Sequence, residues 1–451
     1  MKISKELIIN LIIFLGILLR FVFIIFTPIY SYQMDSIIPT LNSQKDYENL
    51  YTTTITRTIE NDDGSIYKLD DAGHFNYCMY IYHNWHLPAT NTNQYYHPPL
   101  NAFLSAIWLK ALDFTPFSMQ FKIEALQFLP FLYSSISIIF IKKILNKFEI
   151  SKNTQIFIML ICSFCPIFVV FSGSLTNDAL VTLFSIMSIY LLINWYQSPT
   201  LKNILLISLS LGLGAITKHS ILVNYILCGG VFIKKLIQTK NRKFLWHFLL
   251  FLYVLLPITF AYPIRNYILF NQIPFSVQSA SKSLYTGNYS LWEQFKPFDK
   301  TLLNPVFSLN DHNVFSMTIG TSVNPFMFLK HYYIVVEYII SITLLLISTI
   351  GIISLLQTQK NNIHIKFSVY TTSLWIFSFV LLNLTMPYSC SSSARYIFTP
   401  IIFLSIQLGF ILDYSKSKKR KKIIKLLSVI YSIIAIMIII SYICHAKNYQ
   451  I

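Results

Sequence analysis

Charged residues are scarce in this 451-residue chain, making up 12% of it, and only 18 of them are acidic against 35 Lys and Arg. With 54% hydrophobic residues and a mean hydropathy of +0.56, that shortage excludes a soluble domain of this size. Cysteine is also sparse. Of the six, Cys162 and Cys165 have a C-x-x-C spacing, but inside an apolar run, where a zinc ribbon has no place and helix packing accounts for both. Cys78 and Cys390 fall on the same side of the predicted topology, and the sequence leaves their pairing open. No G-x-G-x-x-G unit follows a strand, and neither a Walker loop nor an H-E-x-x-H string occurs. A nucleotide site is therefore not visible.

Apolar runs fill the chain instead. A helix needs roughly 17 to 25 residues to cross about 30 Å of hydrocarbon, and about eleven such spans are expected, near 6–27, 124–141, 154–172, 178–196, 203–217, 219–236, 244–262, 332–356, 367–385, 396–413 and 423–443. The first is too long for a signal peptide, contains Arg20 and lacks a small-x-small cleavage site, so it should stay attached. Arg20 in mid-span should face the bundle or snorkel. The formal charge of +17 does not point to nucleic acid, because the basic residues cluster in alternate short loops: Lys2 and Lys5; Lys142, Lys143, Lys147 and Lys152; Lys234 to Lys243; and Lys416 to Lys425. This alternation works if the apolar helix Leu100–Asp113, which carries Lys110, is interfacial or re-entrant rather than spanning. The N-terminus is then cytoplasmic, with large outer loops at 28–123 and 263–331, and the expected organisation is a catalytic module over 1–413 followed by a basic loop and last span over 414–451.

Eight of the 18 acidic residues lie between Ser31 and Asp71, in the first outer loop: Asp35, Asp46, Glu48, Glu60, Asp62, Asp63, Asp70 and Asp71. Most are ordinary solvated loop charges. Asp70 and Asp71 differ because they lead through His74 into an aromatic and histidine-rich stretch ending at Tyr95-Tyr96-His97-Pro98-Pro99-Leu100. An enzyme working on the outer face, away from nucleotides, needs a donor already carried across the bilayer, and a polyprenyl-phosphate sugar meets that need.

Six strings occur in order: Asp70-Asp71-x-x-His74, His97-Pro98-Pro99-Leu100, Thr176-Asn177-Asp178-Ala179-Leu180, Gly212-Leu213-Gly214-x-x-Thr217-Lys218, Arg265-Asn266-Tyr267 and Arg395-Tyr396-Ile397. Together they resemble the bacterial branch of the protein O-mannosyltransferase family, which includes the lipid A aminoarabinose transferase. The resemblance runs from the first span to about residue 412. It implies an all-α GT-C-type bundle, an inverting transfer from a polyprenyl monophosphate donor, and an acidic base in the first outer loop. The family pattern maps Asp70 as base and Asp71 as its acidic neighbour, though an offset of one residue would reverse them.

Each role has its own physical demand. A carboxylate must take the proton of an acceptor hydroxyl, and two adjacent acids raise one another's affinity for protons. The departing phosphate asks for preorganised cations; Lys218, Arg265, Arg395 and His97 are the candidates, the arginines because a planar fork holds two oxygens. Snorkelling is the plainer reading of Lys218, and interfacial anchoring that of Arg265 and Arg395. His74, Asp178 and Tyr96 would support the pocket, and Asn177 or Asp178 would otherwise simply cap its helix. Asp70, Asp71, His74 and His97 could share a divalent cation, although their spacing is no recognised ligand code; no other cofactor is implied. Tyr77, Tyr80, Tyr82, Trp85, Tyr95 and Tyr388 could stack on sugars or form an interfacial belt.

The expected partners are the lipid-linked donor, membrane lipids and a lipid, glycan or protein acceptor, in what reads as a bacterial cytoplasmic membrane protein of cell-envelope glycan synthesis. The chain has no counterpart of the separate lumenal domain of the family's eukaryotic members, nor of the additional C-terminal sequence of the aminoarabinose transferase, so neither a protein nor a lipid A acceptor carries over. Two alternatives stand beside this reading. An O-antigen ligase or polymerase would also use lipid-linked glycans on the outer face, through cations of a large outer loop. A secondary transporter would show two related halves with polar groups near the midplane.

Overall fold

The structure, a computed structural model, describes residues 4–29, 56–60, 66–70, 73–90, 93–276, 285–296, 312–325, 329 and 332–447. In chain order its helices are α1 (Lys5–Phe26), α2 (Gly73–Asn84), α3 (Leu100–Asp113), α4 (Met119–Glu124), α5 (Phe128–Lys147), α6 (Lys152–Phe164), α7 (Pro166–Val170), α8 (Asp178–Gln197), α9 (Leu201–Ala215), α10 (Leu222–Thr239), α11 (Arg242–Phe270), α12 (Leu291–Phe295), α13 (Val314–Val323), α14 (Tyr332–Thr358), α15 (Ile363–Thr385), α16 (Phe398–Tyr414) and α17 (Lys418–Lys447). The fold is all-helical and multi-span as expected, apart from one antiparallel hairpin of β1 (Thr56–Glu60) and β2 (Ile66–Asp70), which pairs Thr56 with Asp70 and Glu60 with Ile66.

Among the described residues nine helices are long and apolar enough to cross a membrane, or ten when α6 and α7 are taken as one bent span. Two expectations are corrected here. The span near 154–172 is broken by 54° between Phe164 and Pro166: proline has no N–H for the helical ladder and pushes the residue before it out of the helical region, and Cys165 is extended at φ −50° and ψ 122°. The segment near 203–217 forms a helix of 15 residues, about 22 Å long and short of a full crossing.

By internal contacts the chain forms two compact units, each assembled from separated stretches. The first combines residues 1–23, 135–170 and 279–444; the second combines 24–134, 171–278 and 445–451.

In the first unit, α16 packs against α6, α14 and α15. Glycine makes the close approaches possible: a Cβ at Gly409 would meet Ile158 at 2.2 Å, and one at Gly351 would meet Ile411 at 2.4 Å. Arg20 of α1 is 1% exposed and faces the bundle, as expected. Its guanidinium donates to the carbonyl oxygens of Gly16 at 2.9 Å and Ser163 at 2.6 Å. Ser163 lies in the last turn of α6, where carbonyls lack helical donors and the helix dipole is negative, so a cation is well placed there.

In the second unit, α9 lies between α8 and α11. The long α11 runs to Phe270 with Pro257 and Pro263 inside it, so the helix continues eight residues beyond the expected end at 262. Packed apolar neighbours let a helix absorb such prolines. α2 and α3 pack on one another through Phe75, Met79, Ala102, Ala106 and Leu109. Asp113 ties the pair together: Tyr82 Oη donates to it at 2.6 Å, and Lys122 and Lys110 lie 3.5 and 3.8 Å away. The bounds of α3, Leu100–Asp113, are those read from the sequence.

Candidate functional site

The hairpin delivers Asp70 as the last residue of β2, and α2 starts three positions later at Gly73. Gly73 has φ +56°, a left-handed conformation glycine adopts without steric penalty. Of Asp70 only the backbone belongs to the described residues, and Asp71 lies outside them. His74 sits in the first turn of α2, 7% exposed, and its ring stacks on that of His97 with centroids 5.3 Å apart. Tyr96 lies on the other neighbour of this pair, 4.1 Å from the His97 ring. His74 and His97, 23 positions apart in the sequence, thus join the start of α2 to the His-Pro-Pro-Leu segment through two imidazoles.

Pro99 opens α3, and the next residues anchor that helix start to two remote turns. Leu100 N–H donates to the carbonyl of Ile216 at 2.9 Å. Asn101 Nδ2 donates to the carbonyl of Leu175 at 2.8 Å. The turn at Thr176-Asn177-Asp178 and the end of the Gly212 to Lys218 segment are thereby brought to the same place. Lys218 Nζ donates to Asp178 Oδ1 at 2.6 Å, with the side chains 13% and 3% exposed. Asp178 is therefore held by the lysine and does not cap α8; nor does Asn177, whose side chain makes no capping bond. Two buried polar atoms beside this ion pair, Asn177 Nδ2 and His219 Nδ1, have no hydrogen-bond partner among the described residues. Buried polar atoms of that kind are rare and each asks for an explanation.

Arg265 approaches from α11. Its guanidinium donates to the carbonyl of Pro88 at 2.6 Å and to Asn266 Oδ1 at 3.0 Å. One turn earlier, Tyr262 Oη donates to the carbonyl of Tyr95 at 2.7 Å, fixing the chain just before Tyr96 and His97. Tyr77 of α2 is 1% exposed and its ring meets Tyr95 edge-on at 5.3 Å. Burial pushes the Tyr77 phenol well above its ordinary value, so it stays a hydrogen-bond donor.

His74, Tyr96, His97, Asp178, Lys218 and Arg265 all belong to the second unit, and direct or one-step contacts link the segments that carry them. Arg395 belongs to the first unit, in a short helical turn at Ala394–Ile397, where its guanidinium carbon is 5.2 Å from the Tyr396 ring. Among the described residues no group of three or more His, Cys, Asp or Glu side chains converges as a metal site; the Asp70 side chain and Asp71 fall outside that statement. Cys78 is a free thiol buried in α2. Sequence reading missed Asn101 and the carbonyls of Tyr95 and Pro88 as positioning groups. A polar residue on the inner face of an apolar helix, immediately after Pro-Pro-Leu, was the signal available for Asn101.

Residues 96–262 match the dolichyl-phosphate-mannose-protein mannosyltransferase family. This is the family that the six sequence strings resemble, and the match supports a membrane glycosyltransferase. No curated protein sequence matches the chain. Among solved structures, the crystal structure of the Archaeoglobus fulgidus oligosaccharyltransferase, tethered to an acceptor peptide containing the NVT sequon, is similar at 8% identity and a TM-score of 0.48. That similarity covers 96% of this chain and 55% of the other, so the chain spans about half the length of the protein it is compared with.

Proposed function

We propose that the protein is an integral membrane glycosyltransferase of the GT-C type that moves a sugar from a polyprenyl-phosphate donor to an acceptor hydroxyl, with inversion, on the extracytoplasmic face. The observation that carries this reading is the meeting of the His97 to Leu100, Leu175 to Asp178 and Gly212 to Lys218 segments around the Lys218–Asp178 ion pair, within the stretch that matches the mannosyltransferase family.

In this reading Asp70 takes the proton of the acceptor hydroxyl as its oxygen attacks the anomeric carbon, and the phosphate leaves from the opposite face. Asp71 is the acidic neighbour. Lys218, Arg265 and His97 meet the charge that develops on the leaving phosphate, where fixed cations in a partly dry site are most effective. His74 holds His97 by stacking, Tyr96 flanks it, and Asp178 keeps the Lys218 ammonium aimed before the donor arrives. The bare N–H of Asn177 offers a further donor for a phosphate or sugar oxygen.

The test is transfer by the purified chain in liposomes from a panel of synthetic polyprenyl-phosphate sugars, comparing Asp70→Asn and Asp71→Asn. Loss of the base should slow transfer by roughly 10² to 10⁴-fold. Undiminished transfer with both acids replaced would remove the base assignment and favour an O-antigen-ligase-like mechanism. Mass spectrometry of envelope glycans and lipid-linked sugars from a deletion strain would identify sugar and acceptor.

A further inference from the structure

From Asp413 to Lys425 the chain reads Asp-Tyr-Ser-Lys-Ser-Lys-Lys-Arg-Lys-Lys-Ile-Ile-Lys, with seven cations between positions 416 and 425 and no acidic residue between 414 and 451. α16 ends at Tyr414 and α17 starts at Lys418, and both belong to helices long and apolar enough to cross a membrane. The cluster therefore sits where two spans leave the hydrocarbon.

Two of the seven cations turn inward. Lys421 Nζ donates to the Asp413 carbonyl at 3.2 Å, and Lys425 Nζ lies 5.4 Å from the centre of the Phe157 ring. Lys416, Lys418, Lys419, Arg420 and Lys422 are exposed, and among the described residues none of them makes an ion pair. Asp413, the acid nearest in sequence, is engaged: it accepts from the Ser151 N–H at 2.9 Å and from the Ser151 and Thr154 hydroxyls at 2.6 Å each. Asn362 Nδ2 donates to Tyr414 Oη at 3.2 Å, which brings the turn carrying exposed Lys360 to the same end of the first unit.

Such a cluster is unfavourable by itself. Lys418, Lys421 and Lys422 lie three and four positions apart along the helix, where like charges repel, and no carboxylate stands in the first turn of α17 to offset them. An excess of Lys and Arg in a loop suffices to orient a span, so orientation leaves the density of this cluster unexplained. An anion from outside the chain supplies the missing counter-charge.

The neighbouring residues select its kind. Ile423 and Leu426 of α17 are 40% and 56% exposed, one turn beyond Lys419 and Lys422, so one helix face passes from bare cations to bare apolar side chains. A free phosphate or a nucleic acid matches the first part alone. A phospholipid with an anionic headgroup matches both, and the turn at 415–417 is too short to carry the cations away from the membrane surface.

We propose that this end of the first unit is a binding surface for anionic phospholipid, whose headgroup phosphate meets Lys418, Lys419, Arg420 and Lys422 and whose acyl chains lie along Ile423 and Leu426. It stands whether or not the cluster of His97, Lys218 and Arg265 binds a donor phosphate.

The test uses the full chain in phosphatidylcholine nanodiscs doped with acyl-diazirine phosphatidylglycerol or, in parallel, acyl-diazirine phosphatidylcholine. Photolabelling of residues 419–430 should be at least about fivefold stronger with phosphatidylglycerol, and raised salt should weaken that preference. Combining Lys418→Gln, Lys419→Gln, Arg420→Gln and Lys422→Gln should abolish it, whereas combining Lys418→Arg, Lys419→Arg and Lys422→Arg should keep it. Unlabelled phosphatidylglycerol should compete, and soluble glycerol phosphate at matched concentration should not. Equal labelling by the two lipids, a preference that survives the fourfold glutamine variant, or equal competition by glycerol phosphate would overturn the proposal. Should the glutamine variant fail to insert, the comparison of the two lipids on the unaltered protein decides alone.

Discussion

Lys218 reaches across from the end of the Gly212 to Lys218 segment to hold Asp178 at 2.6 Å, joining two turns that lie 40 positions apart in the sequence. Both groups are largely withdrawn from solvent, so each depends on the other for compensation of its charge.

Removing one member of this pair should therefore cost more than removing both. Asp178→Ala leaves a buried ammonium and should destabilise the protein by about 3 to 5 kcal/mol, whereas Asp178→Leu combined with Lys218→Met should recover much of that loss while abolishing transfer. Thermal unfolding in detergent, alongside the liposome transfer assay, separates the two effects. Equal stability of single and double variants would show that the pair is not energetically coupled.

Arg265→Lys keeps the charge but loses the fork that spans the Pro88 carbonyl and Asn266 Oδ1. The apparent KM for the lipid-linked donor should rise about tenfold, and limited proteolysis between residues 85 and 90 should quicken. An unchanged KM with faster proteolysis would assign Arg265 to positioning the loop alone.

Gly16→Ala would set a Cβ 2.7 Å from the Ser163 Cβ, so α1 must shift from α6. Overpacking of this kind costs about 1 to 3 kcal/mol, and here it would also pull Arg20 from the Ser163 carbonyl. The melting temperature should drop, and Gly16→Val should lower it further. A melting temperature equal to that of the unaltered chain would contradict the close approach.

Glu293 closes a capping box on α12: its carboxylate accepts from the Ser290 backbone N–H at 2.9 Å and from the Ser290 hydroxyl at 2.7 Å. The Ser290 hydroxyl and N–H hold the Glu293 carboxyl below its ordinary value of 4.5. A group with a depressed folded value stabilises fully above the ordinary value and loses that contribution as pH falls through the lowered one. Amide hydrogen exchange over residues 291–295 should thus quicken, relative to its intrinsic rate, as pH falls from the ordinary value of 4.5 through the lowered one, and Glu293→Gln, which keeps the box geometry, should remove that dependence.

Much of this was legible before folding. Hydropathy over α3 gave its bounds, Leu100–Asp113, because an apolar run flanked by Pro98-Pro99 and Asp113 leaves little choice of where a helix starts and stops. Arg20, as a mid-span cation, had either to face the bundle or to snorkel, and packing decided for the bundle. Helix ends near proline were less legible. The sequence suggested that α11 stops at Tyr262, but Pro263 is carried inside it to Phe270, since neighbouring helices can compensate a missing bond that a local rule counts as a break. Asp178 read equally well as a helix cap, and only its distance to Lys218 separates the two roles.

Composition and periodicity by themselves determined that the chain is a multi-span helical protein, because burial in hydrocarbon is decided residue by residue along the chain; a family resemblance singled out the six short strings. Tertiary structure decided which of those strings meet. The bond from Leu100 N–H to the Ile216 carbonyl and the stacking of His74 on His97 arise from helices packing across long sequence separations, a geometry set by side-chain volume and the satisfaction of buried polar atoms, for which no local pattern exists.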